Sequence, residues 1–93
     1  MMHCLHVLNR LTENRLPAAL LRSMGTDDAL LLSGDAVYAG ISAANSLPAR
    51  CHALETDVRA RGLLPLWPAH ISLIDHGGYV DLCVQHQTSL NWS

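Results

Sequence analysis

Short apolar runs alternate with amphipathic stretches along the chain. The apolar runs have the length of strands and cover residues 3–8, 29–32, 51–54 and 71–74. The stretches between them space their apolar residues as helices do, near residues 16–24, 37–45 and 56–61. Strands that alternate with helices usually pair in parallel, because each helix returns the chain to the same edge of the sheet. The pattern therefore predicts a small α/β fold.

The polar residues that flank these runs predict where the helices begin and end. Asn14 is placed to cap the first helix and Asp75 to cap the last one, while Gly25 and Gly62 follow helices that they can terminate. Residues 79–84 favour a last helix, and residues 89–92 a short terminal edge strand. We expect one domain over residues 1–93, with three layers: a mostly parallel sheet of four to five strands and helices on both faces.

The composition indicates that the chain associates with other subunits. Of its 93 residues, 49% are apolar and only 15% are charged. A domain of this size buries roughly 60–65% of its unfolded surface, so it has little interior in which to place so many apolar side chains. Oligomerisation is the simplest way to cover the remainder.

Charge and hydropathy argue against several classes of protein. The net charge is −2, and the basic side chains are six dispersed arginines, so we expect no direct binding of nucleic acid. No apolar run approaches the roughly 20 residues of a membrane span, so we expect no membrane insertion. The first residues carry no basic segment or cleavage signal, which predicts a cytoplasmic protein with reduced thiols.

The segment 63–68 is unusual for a connection because it is apolar and contains two prolines. Its apolar residues are Leu63, Leu64, Leu66 and Trp67. Connections are usually polar and exposed. Two interpretations remain open: an interface patch, or a lid that folds back over the ends of the helices.

Motifs for metal, phosphate or nucleotide binding are weak or missing. On a strand, Cys4 and His6 share a face whereas His3 points away, and zinc needs three or four protein ligands. Completing such a site would take one of the distant histidines, His70, His76 or His86. No glycine-rich phosphate loop follows the first strand. We therefore predict no metal site, no cofactor and no catalytic residue.

The three cysteines are the remaining candidates for chemistry. Cys4 is predicted to be buried in the first strand, and Cys83 lies within the last helix. Cys51 follows Arg50 at the start of a strand, where partial exposure and a neighbouring cation would help a thiolate. Buried cysteines usually behave as small apolar residues, so this pattern favours a structural role for all three.

Several ordered segments resemble the DsrH/TusB family within the DsrE-like superfamily. They are the opening Met-x-His-x-Leu-His, the stretch 35–39 after a Leu-rich strand, the stretch 53–63 with Asp57 and Ala60-Arg61-Gly62, and the segment 74–82, followed by Trp92. Their order and spacing over nearly the whole chain carry the resemblance. Some DsrH proteins have a cysteine on the first helix, whereas residues 18–21 here contain none.

The resemblance implies a non-catalytic subunit of a sulfur-relay complex. TusB-like chains assemble with TusC-like and TusD-like paralogues into a heterohexamer. That complex takes persulfide sulfur from a TusA-like carrier and passes it to a TusE-like carrier, toward 2-thiouridine at the wobble position of tRNA. In this family the dependable persulfide cysteine belongs to the D or E subunit.

Three alternatives stay open at this point. The chain could be a persulfide-carrying sulfurtransferase subunit that uses Cys51 or Cys83. It could instead serve a DsrEFH-type complex of sulfur oxidation, or be a homo-oligomer that binds a small ligand at the strand ends.

Overall fold

A parallel sheet with five strands forms the centre of the domain. The structure is a computed structural model, and it describes residues 3–13 and 15–92. The strands are β1 (Cys4–Leu8), β2 (Ala29–Leu32), β3 (Cys51–Leu54), β4 (Ser72–Ile74) and β5 (Thr88–Trp92). The helices are α1 (Ala18–Ser23), α2 (Ala39–Ser42), α3 (Glu55–Ala60) and α4 (His76–Gln85). The predicted α/β class is confirmed.

The strand order is β4-β3-β2-β1-β5. The first four strands are laid side by side, and α4 then carries the chain back across the sheet to the far side of β1. There β5 pairs with β1 in parallel, with Leu90 opposite His6 and Trp92 opposite Leu8. The predicted terminal edge strand is thereby confirmed, one residue longer than expected.

Helices cover both faces of the sheet, as predicted. Leu8, Leu30 and Leu32 share a buried cluster with Leu20 of α1 and Val58 of α3. The alternate strand residues form a second buried cluster with α4; its members are Leu5, Val7, Ala29, Leu31 and Leu82. Neighbouring residues of one strand point to opposite faces, so these continuous apolar runs supply both layers.

The helix predicted over residues 37–45 is not continuous. In its place the chain forms a 3₁₀ turn (Gly34–Tyr38), the single turn of α2 and another 3₁₀ turn (Ala44–Ser46). The Ser42 hydroxyl donates to Tyr38 O at 3.2 Å, a local contact that competes with regular helix, and Ala43 leaves helical geometry with φ −132°. The prediction of one continuous helix is wrong. Because 3₁₀ and α turns bury residues at nearly the same spacing, the apolar pattern of this stretch does not distinguish them.

The predicted helix ends differ in their outcome. Asp75 caps α4, since its Oδ1 accepts from Gly78 N at 2.8 Å. Gly62 follows α3 with φ 68°, which glycine adopts readily. Asn14 lies outside the described residues, and Pro17 occupies the cap position of α1.

None of the helices in the described part of the chain is long and apolar enough to cross a membrane.

Candidate functional site

A crevice of about 470 Å³ opens at the carboxyl ends of the strands, on the face that α4 covers. Its lining comes from β1, β2, β3, β5 and α4, and consists of Val7, Asn9, Leu31, Ser33, Leu54, Tyr79 and Asn91. In open parallel sheets, ligands bind at the carboxyl ends near the point where strand order reverses. Here the order reverses between β1 and β5, so this crevice is the candidate functional site.

Two polar residues that directly follow strands form the floor of the crevice. Ser33 follows β2, and its N–H donates to Leu8 O at 2.9 Å, while its hydroxyl lies against Asn9 Oδ1. Asn9 follows β1, and its N–H donates to Trp92 O at 3.3 Å. Gly34 comes next with φ 52°, and a Cβ there would lie 2.9 Å from Asn9 O. The turn after β2 therefore requires glycine to bring Ser33 against Asn9.

Carboxylates and Arg61 hold the turn after β2 against the end of α3. Gly34 N donates to Asp57 Oδ2 at 2.8 Å, which holds the turn after β2 against α3. Arg61 donates from Nε and Nη2 to Asp35 Oδ1 at 3.0 and 2.9 Å. None of the described residues that line the crevice itself is charged. Such a site can offer hydrogen bonds from amide and hydroxyl groups to a neutral polar group.

Tyr79 contributes the only aromatic ring among the described lining residues. Burial and the neighbouring Cys83 thiol raise the pKa of its phenol, so Tyr79 stays protonated near neutrality and can donate a hydrogen bond. Cys83 lies one turn further along α4 and is exposed.

None of the three thiols is among the described residues that line the crevice, although Cys83 neighbours Tyr79. Cys51 is only 3% exposed, and burial raises the pKa of its thiol to about 12. The expectation of partial exposure at Cys51 is wrong, because β3 lies inside the sheet and this side chain faces the larger core cluster. Cys4, expected to be buried, is half-buried at the start of β1.

Thiol labelling should separate Cys83 from Cys51. At about pH 8, a thiol of pKa about 12 is thiolate to only about one part in ten thousand. We expect maleimide to modify Cys83 in the folded chain, and Cys51 only after denaturant is added. Peptide mapping by mass spectrometry measures both sites in one sample. Equal labelling rates in the folded chain would show that the burial assigned to Cys51 is incorrect.

The histidines considered for metal binding have other partners. His6 is 1% exposed; its Nε2 lies 3.0 Å from Asp28 Oδ2, and its Nδ1 accepts from Trp92 Nε1 at 3.0 Å. His76 packs edge-on against Tyr79. Within residues 3–13 and 15–92, no group of three or more His, Cys, Asp or Glu side chains is arranged to hold a metal ion.

In the apolar segment 63–68, Trp67 folds back onto the domain and Leu66 is exposed; the interface interpretation stays a prediction. Trp67 folds back: its Nε1 donates to Ile71 O at 2.9 Å, and its ring packs on Gly40 so closely that a Cβ there would lie 2.2 Å from the ring. Leu66, its neighbour, is 66% exposed. The lid interpretation therefore applies to Trp67, and Leu66 is left for an interface.

The polar residues of the crevice, Asn9, Ser33 and Asn91, are not among the candidates that the sequence indicates. Their position along the chain is the signal that could have identified Asn9 and Ser33 as site residues. Each directly follows one of two neighbouring parallel strands, whose carboxyl ends meet at one edge of the sheet.

The fold and the crevice define a small parallel α/β domain whose carboxyl-edge site is neutral and contains no thiol among its described lining residues. The profile of the family described as DsrH like protein matches residues 12–89. The chain is 37% identical over 81 residues to Protein TusB of Yersinia pestis (strain Pestoides F) and of Yersinia pseudotuberculosis (serotype O:1b, strain IP 31758). These matches cover 81% of this chain and 85% of each relative. The chain belongs to the DsrH family.

Proposed function

We propose that this chain is a non-catalytic subunit of a cytoplasmic sulfur-relay complex, acting as one domain over residues 1–93. Its partners are a TusC-like and a TusD-like paralogue, and the complex receives persulfide sulfur from a TusA-like carrier and delivers it to a TusE-like carrier. The name TusB of its relatives supports the tRNA thiolation pathway over sulfur oxidation.

The observation that carries the non-catalytic role is the placement of the thiols. A persulfide carrier needs an accessible thiolate close to the groups that stabilise it. Cys51 is buried with a raised pKa, and Cys4 lies at the amino end of β1, away from the carboxyl-edge crevice. The crevice offers Asn9, Ser33 and Tyr79 but no nucleophilic sulfur.

Exposed apolar side chains support a role within an assembly. Val80 and Val84 lie one turn apart on the outer side of α4, and Val84 is 79% exposed. Leu66 adds an exposed leucine after α3, and Leu90 another on the edge strand β5. Exposed apolar groups of this size are covered in stable complexes, where they form the centre of interfaces.

A persulfide-carrying role for Cys83 is the second candidate function. Cys83 is exposed, and it lies one turn from Tyr79, which lines the crevice. Its exposure distinguishes it from the buried Cys51.

Sulfur transfer by cysteine variants distinguishes the two functions. The chain is co-expressed with its two paralogues, and persulfide delivery to the downstream carrier is measured by mass spectrometry. We expect the variant with Cys4→Ala, Cys51→Ala and Cys83→Ser to transfer sulfur within about twofold of the unmodified complex, since a small buried cysteine can be replaced at modest cost.

Each complex is first checked for intact stoichiometry by native mass spectrometry. The single variant Cys83→Ser is compared with Ser89→Ala, an exposed substitution on β5 that removes no thiol. Transfer that is abolished by Cys83→Ser in an intact complex, and retained by Ser89→Ala, would make Cys83 the carrier and overturn the non-catalytic assignment.

A further inference from the structure

A second cavity, of about 300 Å³, opens at the opposite, amino edge of the sheet. It lies between the starts of β3 and β4 and the end of α4. Its polar lining is formed by Arg50, His52, His70, Ser72, Gln85 and His86. This set shares no residue with the carboxyl-edge crevice and includes three of the six histidines of the chain.

The charge of this amino-edge cavity favours anions. No Asp or Glu is among the described residues that line it. The nearest carboxylate is Asp27, whose Oδ1 lies 4.0 Å from Arg50 Nη2, and the Arg50 side chain is 57% exposed. A pair that long and exposed holds the guanidinium weakly. Cys51 also lines the cavity, but its thiol is protonated because burial raises its pKa to about 12.

The hydrogen bonds of two imidazoles determine what they present to the cavity. His86 Nδ1 donates to Leu82 O at 2.7 Å, and His70 Nε2 donates to Ala44 O at 3.0 Å; a carbonyl only accepts, so these nitrogens carry the protons. The other nitrogen of each ring is an acceptor when the ring is neutral and a donor when it is protonated. Protonation therefore changes both rings from repelling an anion to binding one.

His52 supplies the third imidazole of the cavity. Its Nδ1 is buried and has no hydrogen-bond partner among the described residues. Burial and the nearby His86 lower the pKa of His52, because two imidazolium ions in one cavity repel each other. A bound anion beside the two rings would offset that repulsion. Buried polar atoms without partners are uncommon in folded proteins.

We propose that Arg50, His52, His70 and His86 bind a small tetrahedral oxyanion, of the sulfate or phosphate type, and take up protons as they do so. The cavity lies at the carbonyl end of α4, whose dipole opposes an anion, so the cavity binds an anion weakly while its imidazoles are neutral. Other titratable groups at this edge are His3, Asp27 and Asp28. His3 Nδ1 lies 3.4 Å from Asp27 O, and Asp28, which precedes Ala29 of the lining, is paired with His6.

Sulfate is the appropriate probe because it remains a dianion over the relevant pH range. The full chain is titrated with sodium sulfate at about pH 7.5 and about pH 5.5, at constant ionic strength with chloride, while the histidine ring signals are followed by NMR. The protonated fraction of a solvated imidazole rises about tenfold between these pH values. We expect sulfate affinity to rise about tenfold or more, with the signals of His52 and His86 moving and that of His76 unchanged.

Variants identify the groups that bind. Arg50→Gln should weaken sulfate binding about tenfold at both pH values, since it removes a charge-assisted hydrogen bond. His86→Gln should weaken it about tenfold at about pH 5.5 and reduce the pH dependence, because His52 and His70 remain. The matched control, His76→Gln, changes a histidine at the opposite end of α4 and should leave binding unchanged.

Three outcomes would overturn the proposal. One is equal sulfate affinity at both pH values, and another is an equal loss of affinity in His76→Gln and His86→Gln. The third is acetate that moves the same signals with the same affinity as sulfate. Arg50 is exposed, so Arg50→Gln tests the site even if His86→Gln impairs folding.

Discussion

Replacing Trp67 with Ala should lower the free energy of unfolding by about 3 kcal/mol, within the range measured when large core aromatics are truncated. The change removes a ring that packs on Gly40 and an indole N–H that donates to Ile71 O. The adjacent substitution Leu66→Ser should stay within about 0.5 kcal/mol, because that side chain is mostly exposed. Urea unfolding followed by circular dichroism measures both.

Trp67→Phe provides the intermediate case. It keeps most of the ring contact and loses the hydrogen bond to Ile71 O, which is worth about 1 kcal/mol. In the assembled complex the order of effects should reverse, with Leu66→Ser weakening association more than Trp67→Phe does. Equal destabilisation by Leu66→Ser and Trp67→Ala would contradict the division of this segment into a lid and an interface residue.

The α/β class of the fold could be predicted from the sequence because its strands are continuous apolar runs. The run Ala29–Leu32 is fully buried in the structure, and such runs are typical of parallel sheets that are covered on both faces. The region of residues 37–45 was harder to predict. Its buried residues satisfy helical spacing, but the local contacts of Ser42 and the close approach of Trp67 to Gly40 are tertiary features without a local signal.

The candidate site could be predicted less well, because it depends on strand order. The neighbouring Arg50 and a position at the start of a strand predict partial exposure at Cys51, but its burial depends on β3 lying inside the sheet. The amino-edge cavity likewise brings His52 and His86 together only after α4 has crossed the sheet. A single sequence indicates which residues end a strand, but not which strand ends are neighbours.

The last strand is tied to the first by a hydrogen-bond network with a defined direction. An indole N–H only donates, so Trp92 Nε1 donates to His6 Nδ1 and the proton of the neutral ring lies on Nε2. His6 Nε2 then donates to Asp28 Oδ2 at 3.0 Å. Asp28 also accepts from Cys4 N and Gly25 N, both at 2.9 Å. One carboxylate thereby joins β1, the end of α1 and, through His6, the edge strand β5.

Asp28→Ala should therefore lower the free energy of unfolding by about 2–4 kcal/mol, because it leaves His6 Nε2 and the Cys4 N–H, both shielded from water, without an acceptor. Asp28→Asn keeps one oxygen and places an amide N–H₂ against a donor, so it should cost about 1–2 kcal/mol. The amides of Cys4 and Gly25 should also lose protection from hydrogen exchange. Asp27→Asn is the matched control and should stay within about 0.5 kcal/mol, since the Asp27 carboxylate contacts only Arg50, at 4.0 Å.

The acid limb of the stability curve provides the second measurement on Asp28. Burial raises the pKa of this carboxyl, but the N–H groups of Gly25 and Cys4, together with His6, outweigh burial and hold it below its usual value of 3.8. The unfolded chain therefore takes up this proton first as the pH falls. The stabilisation is complete above about pH 4 and is lost as the pH falls through the lowered pKa of the folded state. Asp28→Asn should flatten the fall in stability below about pH 4, whereas an unchanged acid limb in that variant would show that the Asp28 carboxylate is not the group that the network stabilises.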